Sequence, residues 1–206
     1  MESSENQKIR DWLGSGCINI FGMPFSGKDT QAQKLASLLK GVVVGGGEIL
    51  RSHPDIEKVK QLMQTGKLFP TDFYLETVIP YLSRPNLKDK PIILSSVGRW
   101  HGEEEVIMHA IAQANHPLKV VIYLELDKKE VQKRFKAIEQ QHDRGKRHDD
   151  DAIILNTRLQ EFQNKTIPVI RFYEDKGLLV KVDGTGIQDL ITERIIRELL
   201  KKAEHS

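Results

Sequence analysis

Cys17 is the only cysteine in 206 residues. One thiol closes no intramolecular disulfide and builds no cysteine-rich zinc centre. The fold must therefore rest on its core, and a reducing compartment is predicted. Long apolar runs are missing as well. No stretch approaches the roughly 20 apolar residues that cross a bilayer as a helix. The opening M-E-S-S-E-N-Q is polar, with no hydrophobic signal segment. Together these predict a cytoplasmic protein with no membrane partner. Excess charge of one sign is absent too: 31 Lys and Arg against 29 Asp and Glu leave a net +2, which argues against a general nucleic-acid binder. The seven histidines are scattered without metal-ligand spacing, and each reads as solvated surface. There is no internal repeat and no low-complexity segment. Length and composition bound the chain to one compact α/β domain over residues 1–206, a monomer by expectation.

What is present centres on Ile18 to Ala32, I-N-I-F-G-M-P-F-S-G-K-D-T-Q-A. A short apolar run, Cys17 to Phe21, reads as a buried strand. Gly22, four residues, Gly27 and Lys28 then make the G-x-x-x-x-G-K frame of a phosphate-binding loop. Glycines let the backbone curl so that its N–H groups point at an anion. Lys28 adds a mobile positive charge, and the helix that follows favours negative charge at its start. The usual frame has Ser or Thr directly after the lysine to meet Mg²⁺. Here Asp29 stands there and Thr30 follows.

Other apolar runs alternate with helical patterns. Val42–Val44, Pro91–Ser95, Lys119–Leu126 and Gly177–Val182 read as further strands. Ile9, Trp12 and Leu13 share one face of an N-terminal packing helix. Leu35, Leu38 and Leu39 mark the buried face of a helix from Thr30 to Lys40, after which Gly45-Gly46-Gly47 breaks the pattern. Phe73, Val78 and Leu82 are the apolar positions of a helix from Asp72 to Ser83. Leu190, Ile191, Ile195 and Leu199 are those of a last helix from Ile187 to Lys201. Strand and helix in alternation argue a parallel sheet with right-handed crossovers.

The loop, read as G-x-P-x-x-G-K-x-T-Q, resembles that of adenylate kinase and its relatives, the nucleoside monophosphate kinases. The likeness covers roughly Ile18 to Leu200. It implies a P-loop NTPase-type three-layer α/β fold, a five-stranded parallel sheet flanked by helices. It also implies a monophosphate-binding insertion at about 46–75 and a short lid at about 138–149. The reaction implied is reversible transfer of the γ-phosphoryl of ATP, as its Mg²⁺ complex, to a nucleoside monophosphate. AMP is the acceptor that the resemblance suggests. Partners would be ATP and that monophosphate, the cofactor Mg²⁺, and no zinc.

The resemblance also distributes roles. Gly22, Pro24, Ser26, Gly27, Lys28, Asp29 and Thr30 would hold the ATP phosphates, and Gly186 would offer backbone to the adenine. G-G-E-I-L-R, Gly46 to Arg51, is similar to the family's T-G-D-x-L-R, which makes Arg51 a ligand of the acceptor phosphate. Gly46 replaces the threonine, so one side-chain contact is lost. Lys67 and Phe69 would approach the acceptor base. Ser95-Ser96-Val97-Gly98-Arg99 matches D-G-F-P-R mainly in Arg99, with Gly98 before it; Arg99 would be the second arginine on the acceptor. The strand carboxylate of that motif is missing. Asp29 is read as its substitute on the Mg²⁺ water shell, with a helix-start role as the alternative. Glu103 falls where the family has a glutamine for adenine. A carboxylate only accepts, which suits the ring N–H of guanine or uracil. The alternative is an acidic first helical turn. Arg134, Arg147 and Arg158 would surround the group in flight, with Asp149 and Asp150 orienting the lid arginines. Two rivals stay open: GMP or UMP as acceptor, or a non-catalytic ATP-binding relative.

Overall fold

A computed structural model of the chain describes residues 4–51, 55–141 and 152–205. Five parallel strands form one sheet: β1 Cys17–Gly22, β2 Val42–Gly45, β3 Ile92–Ser95, β4 Leu118–Glu125 and β5 Leu179–Asp183. Their order is β2-β3-β1-β4-β5. β1 therefore lies in the middle, paired in parallel with β3 on one side and β4 on the other. All six residues of β1 are buried, as a strand covered on both faces requires. Its alternate residues go to opposite faces. Ile18 and Ile20 pack with Leu35, Leu39, Ile191 and Ile195. Cys17 and Phe21 face the other way.

Helices cover both faces. α1 Ser4–Leu13, α2 Lys28–Leu39 and α10 Gln188–Glu204 pack together on the first. On the second lie α6 Glu104–Gln113, α7 Lys128–Gln141, α8 Ala152–Glu161 and α9 Ile167–Asp175, with a π-helical turn Phe162–Thr166 joining the last two. α3 Gly46–Arg51, α4 Ile56–Gln64 and α5 Thr71–Leu82 follow β2 and pack Leu50, Val59, Phe69 and Val78 into the cluster on that second face, with Cys17 of β1 and Ile107 of α6. Truncating a fully buried aliphatic such as Ile18 to alanine costs about 2–5 kcal/mol by lost burial and the cavity left behind. Among the described residues no helix is long and apolar enough to cross a membrane.

The sheet and the helix pattern agree with the sequence reading; details shift for identifiable reasons. α2 starts at Lys28, because Gly27 itself takes the cap position. Gly46 and Gly47 do not break the chain but open α3. In α5 the core position is Tyr74, 5% exposed, whereas Phe73 packs partly on that cluster and stacks on Phe69. In α10 Leu190 is 40% exposed; the stripe that reaches the sheet is Ile191, Ile195 and Leu199.

Candidate active site

The loop between β1 and α2 sits at the C-terminal edge of the sheet, beside the end of β3, where ligands collect in parallel α/β folds. Gly27 has φ 86°, a left-handed value that favours glycine. Phe25 also has a positive φ, 61°, which for a bulky residue costs about 1–2 kcal/mol. Its ring is held edge-on to Phe135 of α7, centroids 5.3 Å apart. Arg134, next to Phe135, braces the same turn. Its guanidinium donates to Phe25 O at 3.4 Å, to Ser26 O at 3.2 Å and to Gly184 O at 2.7 Å. It also pairs with Glu130 at 3.2 Å. Arg134 thus directs its donors to backbone carbonyls and Glu130, so it positions the loop. Strain and packing at Phe25 can be separated. Phe25→Ala loses the ring and keeps the strained φ, whereas Phe25→Gly loses the ring and relieves it. The glycine variant should be the more stable of the two by about 1 kcal/mol, against the usual order. Chemical denaturation of the two variants checks this.

Two clefts open from the loop. One is walled by Leu50, Arg51, Met63, Lys67, Phe69 and Arg99. The other is walled by Thr30, Lys34, Arg134, Gly186 and Ile187. Lys28, Asp29 and Arg158 line both. These three therefore mark the seam between the clefts. Gly22 and Pro24 face the first cleft, Gly27 the second. Arg147, Asp149 and Asp150 lie outside the described residues.

Four expected contact residues stand behind the cleft walls. Ser26 is fully buried, and its Oγ finds no hydrogen-bond partner among the described residues. A side chain on Gly46 would meet Tyr74 Oη at 2.8 Å. The tyrosine hydroxyl occupies that space and accepts from Gly98 N at 3.0 Å. This explains the glycine at 46 and takes Gly98 out of the cleft. Burial pushes the Tyr74 hydroxyl up to about 12. Glu103 is 3% exposed. Its Oε1 accepts from Thr71 Oγ1 at 3.0 Å and its Oε2 from Trp100 N at 3.1 Å. The carboxylate is tied to α5 and to its own loop, not presented to a base as the sequence suggested.

Burial raises the Glu103 carboxyl above its ordinary 4.5, while the Trp100 N–H, the Thr71 hydroxyl and Arg99 pull it back. A raised carboxyl means that the folded state holds the proton more tightly than the unfolded chain does. The associated stability is present below the unfolded value and is lost as pH rises through the folded one. Glu103→Gln cannot ionise. Its melting temperature should gain on that of the parent as pH is raised through and above the carboxylate range. Thermal denaturation of both proteins across pH tests this; a constant difference would contradict it.

Other contacts hold the clefts in shape. Glu161 Oε2 accepts from Leu68 N at 2.9 Å and from Lys165 Nζ at 2.7 Å, tying the turn before α5 to the end of α8. Thr166 Oγ1 donates to Arg99 O at 3.1 Å, and Lys165 sits 3.8 Å over the Trp100 ring. Asn19, buried in the middle of β1, donates to Val97 O at 2.8 Å and accepts from Val97 N at 3.3 Å, which fixes the turn that carries Arg99. Sequence reasoning missed Tyr74, Glu161 and Asn19. Of these, Asn19 left a signal: a polar residue inside an otherwise apolar strand. Ser95 Oγ donates to Asp29 Oδ1 at 2.5 Å, so the two departures from the family pattern touch. Among the described residues no group of three or more His, Cys, Asp or Glu could hold a metal ion. The chemistry of this donor set, Asp29 beside Thr30, suits a hard cation that arrives already bound to nucleotide phosphates.

A family profile described as adenylate kinase matches residues 20–178. An adenylate kinase of Thermus thermophilus is 31% identical over 183 residues, which is 86% of this chain and 94% of that protein. An adenylate kinase of Xylella fastidiosa is 30% identical over 182 residues, 86% of this chain and 95% of the relative. That of Parasynechococcus marenigrum is 31% identical over 185 residues, 87% and 96%. With a phosphate loop on a five-stranded parallel sheet and these relatives over most of its length, the chain belongs to the adenylate kinase family and is a phosphotransferase with a phosphate group as acceptor.

Proposed function

We propose that the chain moves the γ-phosphoryl of MgATP reversibly to a nucleoside monophosphate, with AMP as the acceptor. The carrying observation is the seam: Lys28, Asp29 and Arg158 are common to two clefts that meet at the phosphate loop. A group handed from one bound nucleotide to another has to pass such a point. The donor's adenine belongs on the side of Arg134, Gly186 and Ile187. Its phosphates belong on the loop amides and Lys28. Arg51, exposed on α3, and Arg99 on the β3 turn hold the acceptor phosphate from two sides. Lys67 and Phe69 approach its base. The segment at about 46–75 acts as the acceptor-binding insertion.

No protein nucleophile is needed. An oxygen of the acceptor phosphate forms the new bond to the γ-phosphorus. The bond from that phosphorus to the β–γ bridging oxygen breaks, and its electron pair stays on the departing diphosphate. Negative charge spreads over the transferring oxygens, and fixed cations at Lys28, Arg99 and Arg158 stabilise it there. Mg²⁺ on the ATP would neutralise part of the same charge, with Asp29 and Thr30 as the residues to hold it.

AMP is favoured over GMP and UMP for a specific reason. The other bases would need a carboxylate presented to their ring N–H groups, and Glu103 is buried with its oxygens engaged by Thr71 and Trp100. The relatives, too, are named for adenylate. A cytoplasmic location fits the single, buried cysteine, and a monomer is part of the same reading. Initial rates with AMP, GMP, UMP and CMP, each with MgATP, test it. The highest kcat/KM is expected with AMP. A preference for GMP or UMP would return Glu103 to the base, and no acceptor-dependent rate at all would favour a binding protein.

A further inference from the structure

Three acidic side chains line the two clefts among the described residues: Asp29, Glu161 and Asp189. Two are committed to lysines. Glu161 pairs with Lys165 at 2.7 Å and also takes Leu68 N. Asp189 pairs with Lys34. Asp29 differs in place. It lies on the seam with Lys28 and Arg158, is open to the cleft, and accepts from a neutral hydroxyl, Ser95 Oγ, at 2.5 Å. Ser95 is 5% exposed at the end of β3. The strand pairs in register with β1, Ser95 opposite Ile20, so its backbone is held by the sheet.

A hard divalent cation on a triphosphate keeps several waters and leans on one or two carboxylates. Resting on the MgATP reading above, we propose that Asp29, oriented by Ser95, supplies the carboxylate that seats the nucleotide-bound divalent cation beside Thr30. The carboxylate of Asp29 takes the cation's water shell, and the Ser95 hydroxyl fixes the orientation of that carboxylate. The charge which a strand-end aspartate would supply is thus carried on the loop, one residue after Lys28. Orienting partners of this kind change metal affinity by about 10–100-fold when removed.

The alternative for Asp29 is a purely local one, an acidic residue in the first turn of α2 favoured by the helix dipole. Asp29→Asn separates the two. It keeps the shape and an oxygen for Ser95, and removes the charge. The readouts are Mn²⁺ binding to the complex with a non-hydrolysable ATP analogue, by electron paramagnetic resonance, and analogue affinity by calorimetry with Mg²⁺ or with EDTA. Asp29→Asn is expected to weaken Mn²⁺ in the complex by about tenfold or more, with analogue affinity in EDTA unchanged or improved. Ser95→Ala should produce a smaller loss. The exchange Asp29→Gly with Ser95→Asp should recover most of the Mn²⁺ affinity. Unchanged Mn²⁺ affinity in Asp29→Asn, with a lowered melting temperature, would overturn the proposal and leave the helix-start role. Should the exchange variant not fold, the Asp29→Asn comparison still decides. If the parent protein bound the analogue neither with Mg²⁺ nor with EDTA, the donor-site reading itself would fall.

Discussion

Replacing Arg158 with alanine should lower kcat by about a thousandfold, with the KM of either nucleotide changed less than about tenfold. The reason is its place. Arg158 stands near the end of α8 and borders both clefts. In the proposed reaction a cation there would lie away from either nucleoside and beside the group passing between them. Charge on that group peaks in the transition state, so the loss falls on the barrier and little on binding. Arg158→Lys should restore only part of the rate, because an ammonium lacks the planar fork that meets two phosphoryl oxygens at once. Steady-state kinetics of the two variants with MgATP and AMP make the test. A loss confined to the KM of one nucleotide would show that Arg158 only binds.

Lys28→Met should be nearly as severe and differently distributed. Lys28 is the first residue of α2, directly after the left-handed Gly27, and it borders both clefts. In the proposed reaction its ammonium would follow the donor phosphates through ground state and transition state alike. Both ATP affinity and kcat should therefore fall, kcat/KM for ATP by about a thousandfold. The fold should survive, since the residue is only half-buried and methionine keeps the length of the stem. Circular dichroism with steady-state kinetics separates loss of chemistry from loss of structure.

The two residues were legible in the sequence for different reasons. Lys28 is fixed by a motif whose spacing has a mechanism: glycines that curl the loop and a helix that starts behind them. Arg158 was reached only through the likeness of the surrounding block to a family. The strands were legible because each is a short apolar run closed by glycine or polar residues, as in Val42–Gly45 and Ile92–Ser95. Side-chain direction was not. Phe73 and Tyr74 are neighbours in α5, and which of them turns inward depends on how the helix docks. Counting along the family's motif brings Glu103 to a base, yet its carboxylate faces Thr71, 32 residues away in sequence. The tie from Glu161 to Leu68 spans 93 residues. Contacts of that kind leave no local period or turn signal. Tyr74 behind Gly46 is the same case: the sequence records the missing threonine and not the hydroxyl that fills its space.

The decisive measurement follows the phosphoryl group itself. The protein is mixed in excess with ATP labelled at the γ-phosphorus, Mg²⁺ and AMP, and the products are separated after a single turnover. Transfer across the seam predicts the label in the β-position of the new diphosphate, with inorganic phosphate no higher than in the protein-free control. Label released as inorganic phosphate, or retained in ATP at full occupancy of both nucleotides, would contradict it.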